Sequence, residues 1–347
     1  MKKMLTFRSK KEAISLQMER KSLLVIVSLV VLSLVAAIVG TSIGSDYISP
    51  LHVLQAIFKL GAGDYDFVVL TLRLPRVLLS LLVGAALGMS GAILQGIIRN
   101  PLASPDVIGI TGGAAVAAVG FVSILGGTIS IKLLPLFAII GALVTALVIY
   151  VLAWKKGVTP IRLVLIGIGI SAIMGAGTTF MLILSPFYTA GQAYIWLTGS
   201  IYGASWLDIQ TILPVIFIVV PLAIWFARSL NAQEFGDDVA TGLGVTVQWH
   251  RSLLLLCSVL LAGIAVAVAG TIGFVGLIAP HIARKLVGRM FGSLLVVSGF
   301  VGALLVLSAD LIARTAFLPL DVPAGVFTAG IGAPFFLYLL FKNRNQF

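Results

Sequence analysis

Arg73-Leu-Pro-Arg76, followed by Val77-Leu-Leu-Ser-Leu-Leu-Val-Gly-Ala-Ala-Leu-Gly-Met-Ser-Gly-Ala-Ile-Leu-Gln-Gly-Ile-Ile98 and then Arg99-Asn-Pro-Leu-Ala-Ser-Pro-Asp106, is the stretch on which the fold turns. Its middle part runs 22 residues without a charge. At about 1.5 Å per helical residue it covers roughly 33 Å, enough to cross a ~30 Å hydrocarbon core. Pro75 suits a first helical turn, where a missing N–H has no partner to lose. Arg73 and Arg76 do not suit it. Cations at the positive end of a helix dipole each cost something on the order of 0.3–1 kcal/mol. Helix stability does not account for them, so lipid headgroups or a partner outside the helix must.

The rest of the chain agrees with a membrane location. Of its 347 residues 60% are hydrophobic and 10% charged, with mean hydropathy +1.15, against roughly 25% charged in a soluble domain. That apolar surface cannot be hidden from water, and the chain reads as an all-α, polytopic membrane protein. The lone Cys257 leaves no disulfide framework and no thiol metal site. The first apolar run, Leu23 to Val39, is too long for a signal-peptide core and follows a basic segment, so it reads as an uncleaved first span.

Ten transmembrane helices are expected, near 22–42, 77–98, 107–125, 133–154, 163–184, 207–227, 252–270, 271–287, 293–312 and 322–341. With both termini cytoplasmic, eighteen of the 23 Lys and Arg lie inside, and without a span at 271–287 the inside count falls to fourteen. The positive-inside rule therefore favours ten spans. The net charge of +11 is a topology signal and points to no nucleic acid. Two parts follow: a basic cytoplasmic segment, 1–21, and one ten-helix domain, 22–347. The cations left outside are Lys59, Lys132, Arg73, Arg76 and Arg314. Lysines near span ends snorkel. Arg314 stands four residues after Asp310 at a helix C-terminal end, where a local pair and the dipole both favour it.

Glycines crowd the spans. Gly84, Gly88 and Gly91 line one face of the second for close backbone contact, and Gly167, Gly169, Gly175 and Gly177 are expected to do the same in the fifth. Pro135, Pro214, Pro221, Pro280 and Pro334 predict kinked or broken helices. Ser185 to Trp206 is uncharged and aromatic, fitting an interfacial belt, a short helix at a pathway mouth, or both.

The absences narrow the chemistry. No G-x-x-x-x-G-K-[ST] or H-E-x-x-H occurs, which leaves no P-loop or zinc-protease site. His52, His250 and His281 are scattered, so no metal site or catalytic residue is expected. The mid-span regions carry no Asp, Glu, Lys or Arg, whereas ion-coupled transporters commonly place such groups there. If the chain transports, its energy comes from another chain. The one sizeable inner loop, Arg228 to Arg251, carries Glu234, Asp237 and Asp238 early and Gly242 and Gly244 late. It reads as one or two short helices lying against something cytosolic, or as a solvated loop.

With these motifs in view, the chain from about residue 45 onward resembles the FecCD-type permeases of type II ATP-binding-cassette importers, which take up ferric siderophores, haem and vitamin B12. The resemblance rests on Arg73–Arg76, Gly84–Gln95, Asn100–Asp106, Ala240–Gly244, Gly273–Arg284, Ala309–Arg314 and Gly332–Phe336, in that order. It implies a bacterial cytoplasmic-membrane protein and no cofactor of its own. The implied partners are a second permease subunit, identical or paralogous, two cytosolic ATPase subunits that bind the ATP, and an extracytoplasmic binding protein. It further implies that Arg73, Arg76 and Arg314 meet glutamates of the binding protein. Asn100, Leu102, Thr159 and Pro160 would form a cytoplasmic gate. Glu234, Asp237, Asp238, Gly242, Leu243 and Gly244 would dock the ATPase. An iron-siderophore complex is the expected substrate, with vitamin B12 or haem as alternatives. A stand-alone secondary transporter or channel is the competing class, disfavoured by the missing midplane charge.

Overall fold

The computed structural model describes residues 4–8, 15–60, 63–126 and 128–342. Two short strands, β1 (Met4–Arg8) and β2 (Ser15–Glu19), pair antiparallel ahead of the first helix. The remainder of 1–21 up to residue 14 lies outside the described residues. From there on the architecture is helical. α1 (Arg20–Ser42) is the expected first span, and α2 (Pro50–Phe58) is a short helix capped by the Ser49 hydroxyl.

A wide π-helical turn, Phe67–Arg73, runs straight into α3 (Leu74–Ile98), so the second apolar helix is 32 residues long. Arg73 and Arg76 therefore do not stand at its positive end, and the dipole cost expected from the sequence falls away. Pro75 sits where the wide turn gives way to regular α-helix. It has no N–H to continue the ladder, and the N–H of Leu74 reaches back five residues to Val69.

The chain continues through α4 (Ile110–Gly120, prolonged as a π turn to Leu125), α5 (Leu134–Ala153), α6 (Pro160–Leu184) and α7 (Phe187–Leu197). Then come α8 (Trp206–Gln233), α9 (Asp237–Gly242), α10 (Val247–Ala269), α11 (Val275–Val287), α12 (Phe291–Thr315) and α13 (Ala324–Lys342). Among the described residues eight helices are long and apolar enough to cross a membrane. A helix stands at each of the ten expected places, but those at Ile110–Leu125 and Val275–Val287 are short. At 1.5 Å per residue they cover only about 24 and 20 Å.

Irregular backbone precedes both short helices. Pro105, Ile108 and Gly109 of the loop before α4 are buried. The Asp106 carboxylate accepts from the Thr111 hydroxyl and from the backbone N–H of Phe274, one residue before α11. The starts of the two short helices are thus tied together, an arrangement that hydropathy alone does not reveal.

α3 is the centre, with 78% of its apolar window buried, against 17% for α6 and 11% for α1. A Cβ added at Gly84, Gly88 or Gly91 would stand 2.2, 2.3 or 1.8 Å from the carbonyls of Gly302, Ser298 and Gly276. The expected glycine face is therefore a backbone-to-backbone seam against α12 and α11. In α6 the expectation holds for half the set. Gly167 and Gly177 abut Ile108 and Val116, whereas Gly169 and Gly175 face open space. Of the prolines, Pro214, Pro221, Pro280 and Pro334 lie within helices, while Pro135 sits in the first turn of α5.

Candidate functional site

At one end of the bundle the three arginines singled out by the sequence stand together, each tied to this chain. Arg73 is buried and donates to the carbonyls of Thr41 (3.2 Å), Ser42 (3.0 Å) and Asp46 (2.6 Å). Arg314, also buried, donates to the carbonyl of Gly40 and keeps its Nε 3.7 Å from Asp310, the i,i+4 pair expected from the sequence. Both cations thus meet the carbonyl end of α1, where the helix dipole welcomes them. Arg76 is forked twice. Its Nε and Nη2 donate to Asp310 at 2.8–3.1 Å, and its Nη1 and Nη2 donate to Asp321 at 2.6 and 2.9 Å. Asp310 is 1% exposed, Arg76 12% and Asp321 24%, so only the Asp321 side of the fork is open to water. Asp310 and Asp321, 234 and 245 residues along the chain from Arg76, were not expected as its partners.

Arg314 and Asp321 also line a cleft of about 710 Å³ with Gln192, Trp196, Tyr202 and Leu320. The aromatic segment forms a short helix beside this cleft. α7 packs at the rim of this cleft, while Phe187 and Tyr188 are exposed. Around it, turns are joined to one another chiefly through backbone groups. Ser200 N–H donates to Ala269 (2.8 Å), Gly325 N–H donates to Gly199 (2.9 Å), and the Thr271 hydroxyl donates to Leu197. Gly270 is left-handed (φ 68°), and a Cβ there would meet the Trp196 carbonyl at 2.0 Å.

At the opposite end the loop expected over 228–251 shrinks to 234–246, because α8 runs on to Gln233 and α10 starts at Val247, and it holds one short helix, α9, fixed from one side. Asp237 accepts from Arg251 at 2.8 and 2.9 Å and also pairs with Arg99. Arg251 is fully buried and donates to the Val158 carbonyl at 2.6 Å. Partial burial would lift the Asp237 carboxyl, but Arg251 and then Arg99 outweigh it and hold it below the usual carboxylate range. A depressed pKa stabilises above the unfolded value of ~3.9, and the tether is lost as pH falls through the folded value. Ala240 is buried beneath α9. The other side is bare: Phe235, Val239 and Leu243, four residues apart, are 75%, 49% and 68% exposed. Val239 lies within α9 and Leu243 caps its end, whereas Phe235 stands ahead of the helix, beyond Gly236 with its φ of 115°. Glu234 and Asp238 are exposed, and Glu234 lies 3.6 Å from Arg289. A Cβ added at Gly242 or Gly244 would meet open space, and Gly244 is needed for its left-handed turn (φ 84°).

The gate residues lie in two turns. Asn100 accepts from the N–H of Leu102 through its side-chain oxygen at 2.8 Å, an Asx turn that half-buries both. Thr159 and Pro160 open α6, with Pro160 in its first turn. No hydrogen bond joins the two turns among the described residues. Nor does any cluster of three or more His, Cys, Asp or Glu there have the arrangement to hold a metal.

Comparison with known proteins agrees with this architecture. Residues 29–342 match the FecCD transport family. The chain is 50% identical over 320 residues to the achromobactin transport system permease of Dickeya dadantii, covering 92% of each. It is 44% identical to the iron(3+)-hydroxamate import system permease of Bacillus subtilis, over 93% of this chain and 98% of that one. A solved chain described as an inward-facing, metal-chelate type ABC transporter superposes with a TM-score of 0.81 at 30% identity, covering 92% of this chain and 99% of that one. Central glycine-seamed helix, two interrupted short helices and sequence all lead to one conclusion: this chain belongs to the FecCD transport family and is a transport subunit, not an enzyme.

Proposed function

We propose that this chain is the permease subunit of an ATP-driven importer and forms part of the pathway for a ferric siderophore. It would cross a bacterial cytoplasmic membrane ten times with both termini inside, beside a second permease subunit. The two short helices count as crossings because the buried backbone beside them carries the chain the remaining distance. The relatives' names cover an achromobactin system and a hydroxamate system. They differ in chelator, so a ferric chelate is the substrate class in common. The uncharged outer face of α6, with Gly169 and Gly175 open, suits a wall that must pass a bulky chelate without holding it.

The observation that carries the energy-coupling half of this reading is α9. A short helix with Val239 exposed on it and exposed Leu243 at its end, pinned by a buried arginine, is built to be pressed by a cytosolic subunit and to pass the motion on. The test is Leu243→Asp in the full transporter. Because Leu243 is 68% exposed, the variant should insert at wild-type level, while ATPase co-purification and ferric-siderophore uptake fall at least tenfold, as when a charge is buried unpaired in an interface. Wild-type values for both would place the motor contact elsewhere. Asn100, Leu102, Thr159 and Pro160 form the inner gate in this reading.

At the other face, Arg73, Arg76 and Arg314 form the seat for the binding protein. An acidic side chain arriving there reaches Arg76 only by displacing Asp321, since the other side of the fork is closed by buried Asp310. Asp321→Asn weakens the internal rival and should raise binding-protein affinity several-fold at low salt, an advantage that fades as salt screens it. Unchanged affinity at every salt concentration would return the three arginines to purely internal work.

A further inference from the structure

A second charged cleft, of about 430 Å³, opens at the inner end of α3. It is lined by Gln95, Arg99, Asn100, Glu234, Arg284 and Arg289, with Phe291 at its back. Its charges do not balance. Asp237 is shared by Arg99 and Arg251. Glu234 is met by Arg289 at 3.6 Å. Four arginines therefore answer to two carboxylates, and the surplus falls on Arg284. Its guanidinium donates to the neutral side-chain oxygen of Gln95 at 3.1 Å and has no carboxylate in ion-pair contact among the described residues; Glu234, already met by Arg289, acts on it only from a greater distance. A cation half withdrawn from water, bonded only to an amide, favours an anion brought from outside.

Position decides what brings the anion. α3 is the most enclosed long helix of the bundle, so its inner end lies beneath the centre rather than at the lipid-facing rim. The cleft is continuous with α9, because Glu234 lies just ahead of that helix and Arg99 pairs with its first residue, Asp237. We propose that this cleft is a second seat for the cytosolic ATPase subunit and receives one of its acidic side chains between Arg284 and Arg289. This rests on the reading of α9 as the ATPase-docking helix. α9 then supplies an apolar face and the cleft a charged socket beside it, so the subunit is fixed at two points and cannot swivel on one. Because α11 ends at Val287, just past Arg284, a pull on the socket acts directly on the short helix whose start is tied to Asp106.

The test uses the full-length permease co-expressed with its ATPase, with retention of the ATPase measured during purification across a salt series. Arg284→Gln and Arg289→Glu should each lower retention roughly tenfold at low salt, the scale of one close interfacial charge pair. They should also flatten its salt dependence. Arg284→Lys should restore retention in large part, and Arg289→Glu carries little folding risk because Arg289 is 78% exposed. Leu243→Asp runs alongside. If it loses the ATPase while Arg284→Gln and Arg289→Glu keep wild-type retention and salt response, the socket is refuted and the α9 reading stands. If Leu243→Asp also keeps it, both fall. Loss of co-purifying anionic phospholipid in the arginine variants, with ATPase retention unchanged, would overturn the proposal in favour of a headgroup site.

Discussion

Arg76→Leu is expected to destabilise the folded permease by about 3–5 kcal/mol, the cost of removing one partner from a buried ion pair. The argument lies with Asp310. At 1% exposure it has no water to fall back on, and Arg76 donates to both of its oxygens at 2.8–3.1 Å. Arg314 stands 3.7 Å away and is already committed to the end of α1, so it replaces little of what is lost. Asp321, half open to the cleft, loses its partner too but can be solvated. The double variant Arg76→Leu with Asp310→Leu should recover much of the loss, because an apolar pair in that space leaves no charge stranded. Thermal unfolding of the purified permease in detergent measures both. A single variant as stable as wild type would mean that Asp310 is held by other groups. The same geometry bears on transport. A charge change at Arg76 removes a docking cation and weakens the clasp between α3 and α12, so loss of uptake in that variant alone does not report docking. Asp321→Asn, which leaves Asp310 paired, separates the two.

Gly91→Leu should prevent assembly of the bundle altogether, and Gly84→Leu nearly so. At Gly91 even a methyl group would lie 1.8 Å from the Gly276 carbonyl, and at Gly84 2.2 Å from that of Gly302. Backbone occupies that space and no side chain can rotate away. In a bilayer no hydrophobic force between helices makes up the loss, since lipid tails are as apolar as the displaced surface and close packing is what holds the pair. Reciprocal bonds between Ser90 and Ser258 fix the other side of α3 against α10 at 2.8–3.0 Å, so the helix cannot shift to make room. Membrane fractions should contain little monodisperse permease. Gly169→Leu and Gly175→Leu, with open space at each position, should give normal yields and a lower rate of chelate uptake instead. Equal yields for Gly91→Leu and Gly175→Leu would show that the seam tolerates separation.

Much of this protein was legible before any coordinates. Each long apolar run became a helix, because burial of a hydrogen-bonded backbone in hydrocarbon leaves few alternatives. Gly84, Gly88 and Gly91 announced a packing face by spacing alone. The loop around 234–244 announced itself by its isolation among uncharged spans, and α9 within it buries Ala240 while leaving Val239 exposed. Gly169 and Gly175 misled, since a glycine left free of contact reads the same in sequence as one pressed against a neighbour.

By itself the sequence determined the solvent, the helix positions, the central seam and the family, since each depends on a property summed along a local window or a motif. The tertiary structure alone decided which charges answer one another: Asp310 and Asp321 to Arg76, Arg251 and Arg99 to Asp237, and no carboxylate in ion-pair contact with Arg284. It also decided that two helices stop short and meet through Asp106 and Phe274. An ion pair depends on an approach of a few ångströms between groups hundreds of residues apart. Hydropathy fixes how deep each helix lies, but only packing fixes which faces meet, and therefore which charges stand within reach.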